Sequence, residues 1–412
     1  MAETTMRLSD LCDFVGLQVD PATRADDVYV GLEHVASGRF VMVVVGKASD
    51  IQSAKYVFRP GDVLYGKLRP YLDKAVLATE AGICTTELLV LRPKEGVDPR
   101  FVVGVVHAPS FVDHAVAGTT GVQHPRTSWS HIGDFQLPAF KPAEQVKIAN
   151  LLWEVHGAIT ANEAAVETGA DLKRTAMREL FTRGLRGEAQ KESQFGLTPE
   201  AWPVSPIGGF TTQTQYGLSV RGEGEGRYPI LRMNCQQDGK VLMRDLQYVD
   251  LDERTAAVYR LYAGDVLFNR TNSYELVGRT AILESDTDAV FASYLVRVAV
   301  DKERLDPRYL NHFLNWEVAQ SELKKLASRG VSQANISASK LRDFAIPIPP
   351  TLDEQYEIVA ILDAIDRKID LHKRKRAVLE DLFKALLHKL MTGEIRVADL
   401  DLSALKTTEA SA

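Results

Sequence analysis

The run IVAILDAIDRKIDLHKRKRAVLEDLFKALLHKL, Ile358–Leu390, decides the architecture of this chain. Ile358, Leu362, Ile365, Ile369, His372, Arg376, Leu379, Phe383, Leu386 and Leu390 follow one another at spacings that alternate between four and three. That is the seam of a heptad helix, apolar toward both ends and polar in the middle. At about 1.5 Å per residue, about 40 such residues make a rod about 60 Å long, more than the core of one small domain uses. A stripe of that length needs a second stripe to cover it.

The chain supplies one. Moving back 210 residues from each seam position gives Ile148, Leu152, Val155, Ile159, Asn162, Val166, Gly169, Lys173, Ala176 and Leu180, again apolar at the ends and interrupted in the middle. The relation extends beyond the helices and marks an internal duplication. PAEQVKIANLL from Pro142 answers LDEQYEIVAIL from Leu352 at an offset of 210, and GVQHPRTSWSHIGDFQLP from Gly121 answers GVSQANISASKLRDFAIP from Gly330 at 209. DPRF from Asp98 answers DPRY from Asp306 at 208, and GDVL from Gly61 recurs from Gly264 at 203. The drifting offset means that shared elements are joined by loops of unequal length.

The expected fold class is therefore α+β: two mixed α/β domains, each followed by a long helix, with the two helices pairing as an antiparallel coiled coil. The boundaries fall at 1–141 for the first mixed domain, 142–185 for its helix and 186–205 for a linker, then 206–350 and 351–393 for the second pair, and 394–412 for a tail. Short β-rich runs at Val41–Val45, Val63–Tyr65, Leu88–Leu91, Val266–Phe268 and Tyr294–Val300 predict strands, and Phe101–His107 and Tyr309–Lys325 predict helices. Antiparallel pairing brings Asn162 to His372, a polar contact that fixes register, while Ile365, Ile369, Leu379 and Phe383 are the expected apolar seam contacts.

GDVLYGKLRP, Gly61–Pro70, imitates a phosphate-binding loop but fails as one. Its interior carries a carboxylate at Asp62 and strand-forming Val63, Leu64 and Tyr65, and Leu68 stands where a magnesium-binding hydroxyl is needed. The repeat at Gly264–Leu267 keeps the Gly-Asp and lacks the Gly-Lys, so the shared element is a turn entering a strand.

At 412 residues the chain is expected to hold two or three domains. No apolar run approaches the roughly eighteen residues of a membrane span, and no signal-peptide pattern opens the sequence, so a cytoplasmic protein is expected. Cys12, Cys84 and Cys235 are scattered, which excludes a cysteine-rich zinc site. The net charge of −6 argues against a self-sufficient nucleic-acid binder. Any DNA contact must use local cations or share the grip with a basic partner.

Catalytic signatures are missing. Neither H-E-x-x-H nor G-x-S-x-G occurs, and the histidines are dispersed. PIPPT, Pro347–Thr351, lacks the Asn or Asp and the aromatic residue of an adenine methyltransferase motif, and TTELLVL, Thr85–Leu91, lacks the lysine of a nuclease. What the duplication does carry is two polar loops per half, differing in side chains that suit base edges: Arg for guanine, Asn or Gln for adenine. The first half offers Lys67, Arg69 and Tyr71, then Gln123, His124 and Arg126. The second offers Asn269, Arg270, Asn272 and Ser273, then Arg329, Ser332, Gln333 and Asn335. Some of these would touch phosphate only, positioning the domain without reading sequence.

DFAIPIPPTLDEQYEIVAILDAIDRKIDLHKRKRAVLEDLFKALLHKLMTGEIRV, Asp343–Val397, resembles the distal repeat region of type I restriction-modification specificity subunits, the HsdS family. The stretch from Asp134, DFQLPAFKPAEQVKIANLLWEVHGAIT, resembles their central repeat region. The resemblance covers nearly the whole chain in organisation. It implies a protein without catalysis or cofactor of its own, in which each mixed domain is a target-recognition domain reading one half of a split site in double-stranded DNA. The helices would act as spacers. Methyltransferase (modification) subunits, which would carry S-adenosylmethionine, and a restriction subunit would dock around it. Two alternatives stay open: a non-catalytic adaptor with duplicated protein-binding modules, and the recognition part of a stand-alone adenine methyltransferase system.

Overall fold

The structure, a computed structural model, describes residues 5–42, 44–330 and 333–400. The chain divides into two units, residues 1–164 with 372–412 and residues 165–371. Each long helix therefore contributes to both units. No helix among the described residues is long and apolar enough to cross a membrane.

In the first unit a four-stranded antiparallel sheet runs in the order Cys12–Phe14, Leu88–Pro93, Val63–Gly66, Ala75–Leu77. Val63–Gly66 is buried along its whole length, which is why its sequence is continuously apolar instead of alternating. A five-stranded mixed sheet lies beside it, with Val28–Val30 parallel to Gly82–Cys84 at its heart. Helices Pro99–His107 and Pro109–Ala117 complete the core. Asp98 caps the first of them, its side chain accepting from the Arg100 N–H, and Pro99 occupies the first turn, where no N–H is needed.

The second unit repeats this scaffold. Thr211–Tyr216, Leu295–Val300, Val266–Asn269 and Thr280–Ile282 adopt the same strand order, extended to six by Lys240–Val241 and Gln236–Gln237. Asp306 caps Pro307–Asn315 as Asp98 does in the first unit. The single helix expected over Tyr309–Lys325 is two, because Trp316 turns the backbone to ψ 136° between Pro307–Asn315 and Glu317–Lys325. The turn lets Trp316 bury itself among Phe181, Phe195 and Phe313. In the first half Pro109 announces the matching break; in the second no proline does.

The long helices span Pro142–Arg183 and Leu352–Thr392. None of the twenty seam positions is exposed. In the first unit Ile148, Leu152, Val155 and Ile159 join Leu379, Phe383, Leu386 and Leu390 in one core, and Asn162 Oδ1 accepts from His372 Nδ1 at 2.8 Å. In the second unit Leu180 shares the core with Ile358 and Leu362, Lys173 pairs with Asp366 at 2.7 Å, and Ile365 is half-buried. Gly169 is a hole: a Cβ there would lie 2.7 Å from Cγ1 of buried Ile369. Within this unit rising numbers on one helix meet falling numbers on the other, so the strands of the pair are antiparallel.

The repeated Glu-Gln before each helix has a local cause. Gln355 is buried, its Oε1 accepting from the Asp306 N–H at 2.8 Å and its Nε2 donating to Pro349 and Arg304 carbonyls. Gln145 is buried likewise and donates to the Phe140 carbonyl at 3.1 Å. Each amide ties the start of a long helix to its own domain.

Three segments differ from expectation. The stretch 186–205, expected to be a linker, holds a hairpin of Gln190–Ser193 and Gly196–Pro199, and its Phe195 and Trp202 are buried. Trp202 Nε1 donates to Glu354 Oε1 at 2.9 Å, which makes the segment part of the second unit. The tail packs as far as Leu400, with Ile395, Val397 and Leu400 against the first core, while 401–412 lie outside the described residues. Of the expected strand Val41–Val45, Val41 forms only an isolated bridge to Leu77, Val44 and Val45 are exposed, and Val43 lies outside the described residues.

Candidate nucleic-acid interface

The Gly-Asp turn builds the same corner in each unit. Gly61 and Gly264 have φ of 86° and 92°, a backbone that other residues rarely adopt. The following carboxylate then closes the turn: Asp62 accepts from the Arg59 N–H and Asp265 from the Tyr262 N–H, both at 2.9 Å. Asp62 is buried and takes two hydrogen bonds from Arg92, at 2.8 and 2.7 Å. Asp265 lies 3.8 Å from Arg297, and burial raises its carboxyl above the usual range. These acids are structural, which explains the failed phosphate-loop likeness.

The strand leaving each corner carries the first polar loop, and the second polar loop docks on it. In the first unit Leu68 bridges Arg126, the Thr127 N–H donates to the Lys67 carbonyl at 3.0 Å, and the Arg69 N–H donates to the Pro125 carbonyl at 2.8 Å. In the second, Thr271 and Asn272 pair with Asn335 and Ala334, and the Ile336 N–H donates to the Arg270 carbonyl at 2.9 Å. Leu68 with Arg126 and Thr271 with Asn335 are equivalent pairs, since 68 and 271 differ by 203 and 126 and 335 by 209. Loops more than fifty residues apart in sequence are thus brought together twice, by one device.

In the first unit Tyr71, Gln123 and His124 are exposed, and Lys67 and Arg69 are half-buried. Arg69 sits at φ 52°, a left-handed position that a non-glycine residue holds only when its surroundings fix it. Its Nη2 donates to the Gln123 carbonyl at 3.4 Å. Arg126 is already engaged: Glu87 accepts from its Nε and Nη2 at 3.0 and 3.1 Å, and this hydrogen bonding raises the guanidinium pKa further.

In the second unit Arg329 and Gln333 are exposed and Ser273 is half-buried; Ser332 lies outside the described residues. Arg270 is half-buried, 4.7 Å above the ring of Tyr216, with Nη1 on the Ser293 carbonyl at 3.2 Å and Nη2 on Asn335 Oδ1 at 3.4 Å. Asn335 in turn donates to Thr271 Oγ1 at 2.6 Å. Asn272 donates to Met233 Sδ and accepts from the Ser273 N–H. Asn269 corrects the expectation outright: it is 2% exposed at the end of a central strand, so its amide cannot meet a groove. The sequence also missed Glu87 and the tyrosines Tyr216 and Tyr274; of these only Tyr274 had a signal, its equivalence to Tyr71 at offset 203.

One cluster resembles a metal site. His312, Asp363 and Asp366 place ligand atoms within 4.8 Å of one another. Groups of the protein already engage it: the cations Lys173 on Asp366 at 2.7 Å and Arg308 on Asp363 at 3.5 Å, and His312 Nε2 hydrogen-bonded to Asp363 at 2.7 Å. It binds the long helix to the domain.

Comparison with known proteins agrees with the twice-built scaffold. Residues 200–381 match the type I restriction modification DNA specificity domain. Among curated proteins, the chain is 31% identical over 205 residues to a protein named type I restriction enzyme MjaX specificity subunit, of Methanocaldococcus jannaschii. That match covers 49% of this chain and 48% of the relative, so the chain spans about half the relative's length. The MjaVIII specificity subunit of the same organism is 25% identical over 289 residues, covering 69% of this chain and 67% of the relative. In fold, the chain is similar to the type I restriction-modification S subunit from M. genitalium, with TM-score 0.62, 13% identity and coverage of 94% and 96% of the two chains. The second half of the chain thus matches the type I restriction modification DNA specificity domain, and the proteins it is similar to over 205 and 289 residues are both named type I restriction enzyme specificity subunits.

Proposed function

We propose that this chain selects the DNA target of a type I restriction-modification complex, each unit reading one half of a bipartite sequence in double-stranded DNA. The observation that carries the proposal is the docking of two distant polar loops by one equivalent bridge in each unit, Leu68 with Arg126 and Thr271 with Asn335, around different side chains. A constant frame presenting variable side chains is what two-part sequence recognition requires. Only side chains at base edges distinguish sequences, while contacts to phosphate set position.

The long helices serve as the spacer, and the gap between the half-sites follows their length. The chain itself performs no catalysis. Methyltransferase subunits bearing S-adenosylmethionine supply the chemistry, and a restriction subunit joins the same complex in the cytoplasm. The net charge of −6 fits a recognition subunit that shares its grip on phosphate with partners.

Selection from a randomised duplex pool tests this. The complex of this chain with its methyltransferase subunit should enrich two short conserved blocks separated by a fixed number of free positions. Enrichment of no sequence by a stable complex would reject DNA reading in favour of a protein-binding adaptor.

A further inference from the structure

We propose that Arg329 is the guanine-reading residue of the second unit and that Tyr274 positions it, an inference that rests on the DNA-reading function above. The guanidinium of Arg329 lies 4.0 Å from the centroid of the Tyr274 ring. That ring packs against the core of the second unit, so it is a fixed platform. The backbone of Arg329 is fixed as well, by its antiparallel pairing with Ala334. Arg329 is exposed, and among the described residues no hydrogen bond or ion pair engages its guanidinium. An exposed arginine ordinarily samples many rotamers; stacking on an anchored aromatic face restricts it and leaves the planar fork of N–H donors free. Such a fork, held over an aromatic face on an exposed residue, suits the O6 and N7 acceptors of guanine in the major groove.

The other arginines of the loops do not offer this. Arg270 spends its donors on the Ser293 carbonyl and Asn335 and rests on Tyr216, whose hydroxyl accepts from the Ala338 N–H at 2.9 Å. It holds the two loops of the second unit together. In the first unit Thr120 stands at the position equivalent to Arg329, and Arg126 is held by Glu87. Arg69 of the first unit is half-buried and has no ring contact like that of Arg329, so the stacked arginine is a feature of the second unit among the described residues.

The test maps N6-methyladenine by single-molecule sequencing in cells that co-express the methyltransferase subunit with the wild-type chain, Arg329→Ala, Tyr274→Phe, Tyr274→Leu or Arg270→Ala. The wild type should show a bipartite motif with a required G·C pair in one half. Arg329→Ala should relax that one base pair, with about tenfold to a hundredfold less discrimination, and leave the other half and the gap unchanged. Tyr274→Phe should keep the preference, and Tyr274→Leu should weaken it at the same base pair. Arg270→Ala should lower modification without relaxing a single position. Unchanged base preference in Arg329→Ala, or equal loss at every position of that half, would overturn the assignment. A wild-type complex that yields no bipartite motif would overturn the DNA-reading function itself, and Arg329 with it.

Discussion

Gly169 is the sharpest place to test how the long helices meet in the second unit. In an isolated helix Gly169→Ala gains about 1 kcal/mol from backbone propensity. Here the new methyl would lie 2.7 Å from Ile369 Cγ1, and Ile369 is itself 8% exposed with a stiff branched side chain. Overpacking of that kind costs about 1–3 kcal/mol, so the substitution should destabilise by about 0–2 kcal/mol net. Ile369→Ala alone should cost about 2–5 kcal/mol through the cavity it opens. In that background the obstruction is gone, and Gly169→Ala should become stabilising by about 1 kcal/mol. The assay is a double-mutant cycle by urea unfolding, with the sign of the Gly169→Ala effect read in each background. The same sign and size in both would refute the contact.

Other outcomes follow from single groups. Burial, then the nearby Arg39 and His107, lowers the His156 pKa from 6.5 to about 4, with its ring stacked on Phe40 at 4.7 Å. The folded state thus favours the neutral ring; its contribution is complete above pH 6.5 and is lost as pH falls from 6.5 toward 4, by about 2–3 kcal/mol. His156→Gln should flatten the stability profile in that window, and an unchanged slope would assign the pH dependence elsewhere. Asp62→Ala should destabilise by about 3 kcal/mol, because it leaves Arg92 without its two-point partner on a 1% exposed carboxylate. Asp265→Ala should cost less: Arg297 stands 3.8 Å from it and keeps hydrogen bonds to the Arg260 carbonyl and Gln213. Chemical unfolding of the two variants compares them, and a larger loss at Asp265 would contradict this.

What was legible in the sequence was whatever the duplication repeats. The heptad stripe is long and the 210-residue offset is constant along it, so both helices and the pairing of Asn162 with His372 follow from residue spacing alone. The Gly-Asp turns and the two polar loops were legible for the same reason. Features set by tertiary packing in one copy were not. Trp316 breaks a helix whose local sequence favours continuing it, because burial of an indole among Phe181, Phe195 and Phe313 outweighs propensity. The polar composition of 186–205 hid a hairpin held by only two buried aromatics, Phe195 and Trp202. In the loops, a residue type suited to a base edge says nothing about its neighbours. Asn269 is buried by strands on both sides, and Arg126 is tied to Glu87, a partner 39 residues away in sequence.

The most direct measurement is a genome-wide map of N6-methyladenine in cells expressing the methyltransferase subunit with and without this chain. A bipartite motif of fixed gap that vanishes when the chain is omitted is the expected result. The same motif without the chain, or no motif although the two proteins co-purify, would contradict a role in choosing the DNA sequence.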